Sequence, residues 1–244
     1  MPDHEPSAIS PQPWARVIAL LEVLICSDYP TQVALATTFA ALGYGPYVSP
    51  GHLRVGFVVG ISLADAALLI GLVFVFLRAH GERPRDVIVG NRDVGIEAGL
   101  GIPLTFVAIA IAASVLLAIQ RLAPSLHTVP QNPLQGLLGS ARDAWLFALV
   151  VIVAGGIREE IQRAFLLHRF DVWLGGGGVG IVVTSAAFGL GHLQLQGVDA
   201  ALATGLLGAF WGVVYLRRRS AVAPMVSHAA FDLLQILQFL AAAR

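Results

Sequence analysis

From Leu53 to Leu77 the chain carries no charged residue apart from Arg54 and Asp65, and from Ile96 to Ile119 none apart from Glu97, and both runs are mostly apolar. About 20 apolar residues suffice to cross a bilayer as a helix. The runs show no period-two alternation and are too long for barrel strands, so they read as helices. Composition points the same way: 57% of the 244 residues are hydrophobic and 12% are charged. A soluble domain carries roughly a quarter charged residues, and a chain with half that charge cannot cover a water-facing surface. A soluble enzyme, a disordered chain and a nucleic-acid binder are excluded on these grounds.

The expected fold is all-α, a polytopic membrane protein of about seven transmembrane helices. Trp14 to Val48, broken by Glu22, Asp28 and Pro30, reads as a surface helix followed by one span. The remaining spans are expected at 53–77, 96–119, 144–170, 179–192, 200–216 and 221–242. Residues 1–139 would hold the N-terminal membrane helices and a cytoplasmic loop. Residues 140–244 would hold a catalytic membrane core within the same integrated domain. Met1 to Pro13 is Pro-rich and acidic and does not read as a signal peptide. Cys26, the one cysteine, reads as a packing residue.

All 15 basic residues are arginines. With the N-terminus in the cytoplasm and seven spans, Arg16, Arg78, Arg83, Arg85, Arg92, Arg169 and Arg217 to Arg219 fall on the cytoplasmic side. Arg54, Arg121, Arg142 and Arg244 fall on the other, as the positive-inside rule requires. Ala201, Gly205 and Ala209 recur every four residues, and Gly208 pairs with Gly212, a pattern that lets neighbouring backbones approach.

Charge inside a bilayer costs roughly 2.5–3.5 kcal/mol per group on the insertion scale. Arg158, Glu159, Glu160, Arg163, His192, His228 and Asp232 all fall within expected spans of the C-terminal half. At 1.5 Å rise per residue, Glu159, His192, His228 and Asp232 reach similar depths from one face. His228 and Asp232 share a helix face, as do Glu159 and Arg163. A carboxylate, two imidazoles and an acid can then surround one polar cavity and activate water against an acyl carbon. Glu159, His192 and His228 could instead form a His₂Glu zinc site. Asp65 shows no partner at its depth, Glu97 reads as interfacial, and His168 with Arg169 reads as a snorkelling helix end.

REEIQRAFLL, AAFGLGH and APMVSHAAFD, in that order, resemble the CAAX protease and bacteriocin-processing family of intramembrane proteases, which includes the Ras-converting enzyme. The family pattern is a Glu pair with a following Arg, then Phe-x-x-x-His, then His-x-x-x-Asn or Asp. Phe188 to His192 and His228 to Asp232 fit the second and third motifs. In the first, two residues rather than three separate Glu160 from Arg163, so Glu159 and Glu160 compete for the role of base. Glu159 is favoured because it lies four residues before Arg163.

The resemblance implies a water-activating Glu, His192 and His228 in the site, and Asp232 supporting transition-state stabilisation. The expected activity is endopeptidase cleavage near mid-membrane, of CAAX or bacteriocin-related type. Its partners would be the lipid bilayer and a membrane-associated or prenylated peptide, not nucleic acid. Zinc is the candidate cofactor, with a metal-free glutamate mechanism preferred. A multi-pass protein of a bacterial cell membrane is the expected setting. The rival readings are a proton-coupled transporter and a silent scaffold or immunity protein of the same fold.

Overall fold

The computed structural model describes residues 13–49, 52–127 and 136–242. Its elements are α1 Pro13–Ile25, α2 Tyr29–Ala41, β1 Tyr47–Ser49, β2 His52–Leu53, α3 Val55–Ala79, α4 Pro84–Ile88, α5 Val94–Leu122, α6 Ala141–Val150, α7 Glu159–Trp173, α8 Gly177–Arg218 and α9 Val222–Ala242. A π-helical segment, Val151–Arg158, joins α6 to α7 without a break. Most of the sequence reading for 1–13, and Arg244, fall outside the described residues.

Two expected spans form nearly residue for residue, as α3 and α5. Asp93 caps α5 by accepting from the Ile96 N–H at 2.9 Å, and Ser140 caps α6 by accepting from that of Asp143 at 3.2 Å. Such side-chain acceptors satisfy N–H groups that a helix start leaves unpaired. Among the described residues, α3, α5 and the second half of α8, Gln196–Arg218, are long and apolar enough to cross a membrane. The chain is therefore a multi-pass helical membrane protein.

The first apolar region differs from expectation. Instead of a surface helix and a separate span, α1 and α2 form a pair bent by 44° that together has the length and apolarity of one broken span or a re-entrant loop. In the break, Cys26 is buried and Ser27 and Asp28 line a cavity, a setting in which a membrane protein tolerates non-helical backbone. A two-stranded antiparallel hairpin, Tyr47 opposite Leu53, follows.

α7 lies at the centre. Ala164, Phe165 and Leu167 are fully buried against Leu69, Val73 and Leu77 of α3, with Val87 and Ile88 of α4 and Tyr215 of α8 in the same cluster. Phe76 of α3 stacks on Phe165, ring centroids 6.4 Å apart. α8 doubles back at Gly197, where φ is 85°, a conformation that only glycine adopts cheaply. The small-residue stripe lies along that fold. A Cβ on Gly189 would sit 2.6 Å from the Ala201 carbonyl and 3.2 Å from the Gly205 Cα. In a bilayer, where lipid is as apolar as leucine, this close packing is what holds helices together.

The Arg-rich segments gather at one end of the bundle. Arg92 Nε donates to the Arg218 carbonyl at 2.8 Å, the Ala221 N–H donates to the Ile88 carbonyl at 2.7 Å, and Arg219 pairs with Asp171 at 2.7 Å. Two expectations are corrected here. Arg169 does not snorkel; it is fully buried, with Nε on Glu22 at 2.7 Å and Nη1 on Glu82 at 2.6 Å. His168 beside it engages Glu82 at 2.5 Å. Glu97 is not interfacial but fully buried, held by Arg218 Nη2 at 2.5 Å. Arg169 and Glu97 both take partners from distant parts of the chain that local sequence cannot reveal.

Candidate active site

The π-helical segment sets up the site. Its Gly155 and Gly156 present bare backbone to α9: a Cβ on Gly156 would sit 2.8 Å from the Ala229 Cα and one on Gly155 would sit 2.7 Å from Asp232 Oδ2. α9 therefore lies against this segment closely enough to set His228 and Asp232 beside the first turn of α7. π-Turns inside helices recur at functional sites, and nothing in the local sequence signals this one beyond the Gly pair.

Glu160, buried and facing away from the cavity, is fixed on two sides. Its Oε1 accepts from Arg163 Nη1 and from His228 Nδ1, the latter at 2.8 Å. The other edge of the His228 ring faces carboxylates, with Nε2 3.8 Å from Glu159 Oε2 and 3.5 Å from Asp232 Oδ2. Trp211 stacks on the imidazole at 3.9 Å between centroids and donates its indole N–H to Ser227 Oγ at 3.1 Å. The Arg163 guanidinium lies over Phe188 at 4.9 Å and Trp211 at 5.7 Å. The expected Glu159–Arg163 pairing is thus corrected: Arg163 holds Glu160, three residues before it. Positions i+3 and i+4 both neighbour residue i on a helix, and the ring pair from α8 fixes which glutamate Arg163 faces.

Glu159, Arg163 and His192 line a cavity of about 510 Å³ together with Ser27, Asp28 and Tyr29 of the broken helix and Thr184 and Phe188 of α8. His192 engages the Phe188 carbonyl through Nδ1 at 2.9 Å, which leaves Nε2 for other partners. Both His192 and His228 stand edge-on to Phe188, at 4.8 and 6.3 Å between centroids. The structure thus gathers Glu159, Glu160 and Asp232 around the His228 imidazole, sets Arg163 on Glu160, and places His192 on the cavity wall with Glu159.

Asp65, unpartnered in the sequence reading, is buried with Oδ2 3.4 Å from Arg158 Nη2. Arg158 also reaches Asp28 Oδ2 through Nη1 at 3.3 Å and Gln162 Oε1 at 3.2 Å. Asp28 occupies the break between α1 and α2 at φ 80°, a left-handed conformation uncommon for any residue but glycine. This brace beside Glu159 was not legible, because its members lie far apart in sequence. Trp211 was also missed; a tryptophan in an apolar run gives no sign that it stacks on a histidine.

For the zinc alternative, the two His228 ring nitrogens already face carboxylates and His192 Nδ1 faces a carbonyl. Among the described residues, no three His, Cys, Asp or Glu side chains group so as to hold a metal ion. The side chains as placed do not fit a three-ligand site.

Neither a curated protein nor a solved structure matches the chain. A family model does: residues 141–234 match the one described as type II CAAX prenyl endopeptidase Rce1-like. That stretch begins with α6 and takes in the π-helical segment, α7, α8 and His228 and Asp232 of α9. The resemblance carried by three short motifs thus holds as a family match, and the segment of this membrane protein that carries Glu159, Glu160, Arg163, His192, His228 and Asp232 is Rce1-like.

Proposed function

We propose that the protein is a CAAX-type intramembrane endopeptidase in which Glu159, without a metal, activates water in the cavity. The observation that carries the reading is the division of labour between adjacent glutamates. Glu159 faces the cavity; Glu160 is locked behind it by Arg163 and His228. A base must reach both the water and, later, the leaving amine, and only the cavity-facing carboxylate has that freedom.

In this mechanism Glu159 takes a proton from water as the water oxygen bonds to the scissile carbonyl carbon. The carbonyl π electrons move to oxygen, and His192, whose Nδ1–H is donated to the Phe188 carbonyl, accepts the second O–H of the water at Nε2 and so orients the attack. The tetrahedral species collapses, the C–N bond breaks, and the amine leaves with the proton that Glu159 carried. His228, with Nδ1–H donated to Glu160, presents Nε2 toward Glu159 and Asp232 and so positions the base and its water. Arg163 and Glu160 act as positioning residues through His228. The substrate would be a prenylated or otherwise membrane-associated peptide. The Arg-rich end would face the cytoplasm of a bacterial cell, and α1 would enter the membrane from that side.

The test is purified protein in liposomes, incubated with a panel of prenylated C-terminal peptides and transmembrane peptides and read by mass spectrometry. One cleaved class is expected, at a rate that a strong chelator leaves unchanged. No cleavage across the panel contradicts the protease reading. Cleavage that the chelator abolishes and zinc restores contradicts the metal-free mechanism.

A further inference from the structure

The two walls of the cavity are held unequally. On the side of α7 the broken helix is tied by Glu22 to Arg169 at 2.7 Å, by the Cys26 carbonyl to Gln162 Nε2 at 2.8 Å, and by Asp28 to Arg158 at 3.3 Å. Toward α8, among the described residues, one polar contact joins it: the Tyr29 hydroxyl donates to the Ala187 carbonyl at 3.0 Å. Tyr29 is exposed, and the side chains flanking the seam are apolar and exposed as well, Val33 on α2 and Val183 and Leu190 on α8. In a bilayer such lips face lipid. Tyr29 and Ala187 line the same cavity as Thr184, Phe188, His192 and Glu159. Tyr29 also follows Asp28, whose φ of 80° marks the break at which α2 changes direction. The arm thus has a pivot and a firm anchor on one side and a single latch on the other.

We infer that the seam between α2 and α8 is a lateral portal, latched by Tyr29, through which a peptide segment passes from the bilayer into the cavity. α2 lies outside the stretch that matches the family model. That the entering group is a substrate rests on the proteolytic reading; that the seam opens to lipid does not.

The experiment reads access rather than turnover. A reporter cysteine is placed on the cavity wall by Thr184→Cys in a Cys26→Ser background, and the protein is reconstituted in liposomes. Labelling rates are taken with a lipid-soluble maleimide and with a sulfonated, water-soluble one, with and without Tyr29→Phe. Tyr29 is half-exposed, so the variant loses the hydroxyl and little else. Removing one hydrogen bond from the closed state should raise the lipid-soluble rate about five-fold, within the range of a single net hydrogen bond, and leave the water-soluble rate unchanged. An unchanged lipid-soluble rate overturns the portal, and so does an equal rise with both reagents, which would report general loosening. Where the peptide panel gives cleavage, Tyr29→Phe should also lower KM for a membrane-embedded substrate at unchanged kcat. No cleavage by the wild type across the panel, together with a selective rise in labelling in Tyr29→Phe, would sink the protease reading and leave the portal standing.

Discussion

Gly156→Ala adds one methyl group at the place where the π-helical segment meets α9. The new Cβ would lie 2.8 Å from the Ala229 Cα and 2.9 Å from its nitrogen, and it would also strike the Ala229 Cβ. Carbon atoms rest about 3.5–4.0 Å apart, so α9 must retreat by about 1 Å. The obstacle is helix backbone, which cannot rotate aside. His228 and Asp232 travel with α9, while Glu159 and Glu160 stay on α7. A displacement of about 1 Å at a catalytic constellation can cost about 100-fold in rate. Overpacking costs about 1–3 kcal/mol, and the better helix propensity of alanine returns about 1 kcal/mol. The variant should therefore fold, melt within a few degrees of wild type, and lose most of its peptide turnover. Gly99→Ala is the control, since a Cβ there meets nothing within 4 Å; it should leave activity intact. Full activity in Gly156→Ala would refute the claim that this contact sets the distance between the glutamates and His228.

Two further outcomes follow from the charge network. Arg169→Gln leaves Glu22 and Glu82 without their shared cation in a buried setting and should cost about 3–5 kcal/mol, as removing one partner of a buried pair does; a melting curve like that of wild type would restore the snorkelling picture. Glu82 sits in the loop between α3 and α4. Burial pushes its carboxyl up, but hydrogen bonds and charge from His168 and Arg169 outweigh this and hold it below the ordinary glutamate value. A depressed carboxylate stabilises the fold above its unfolded pKa of about 4.3, and the contribution fades as pH falls through the folded value. The melting gap between wild type and Glu82→Gln should accordingly be full at neutral pH and shrink below about pH 4.3; a gap that widens on acidification would reverse the sign.

How much of this could be read in the sequence depended on whether the signal was local. α3 and α5 were legible because a long apolar run fixes a helix by itself. His228 and Asp232 were legible because four residues make one turn, and their convergence with Glu159 followed from depth alone. What failed was any statement about rotation or distant partners. Arg163 could serve Glu159 or Glu160 by spacing, and Phe188 and Trp211, arriving from α8, settle it. Asp65 looked solitary, Glu97 interfacial and Arg169 like a snorkelling end because their counterions lie far away in the sequence. The break at Asp28 looked like the end of a surface helix because the cation that receives its carboxylate, Arg158, lies far along the chain.

The central claim is that Glu159 acts on water and Glu160 holds the scaffold. It is tested most directly by Glu159→Gln and Glu160→Gln, each assayed for single-turnover cleavage and for thermal unfolding. Glu159→Gln should keep the wild-type melting temperature and lose at least about 100-fold in rate, the low end for an acid–base group. Glu160→Gln, which strips Arg163 and His228 of a buried charged partner, should unfold at a clearly lower temperature. A Glu159→Gln protein that cleaves at the wild-type rate, beside a stably folded and inactive Glu160→Gln, would reverse the assignment.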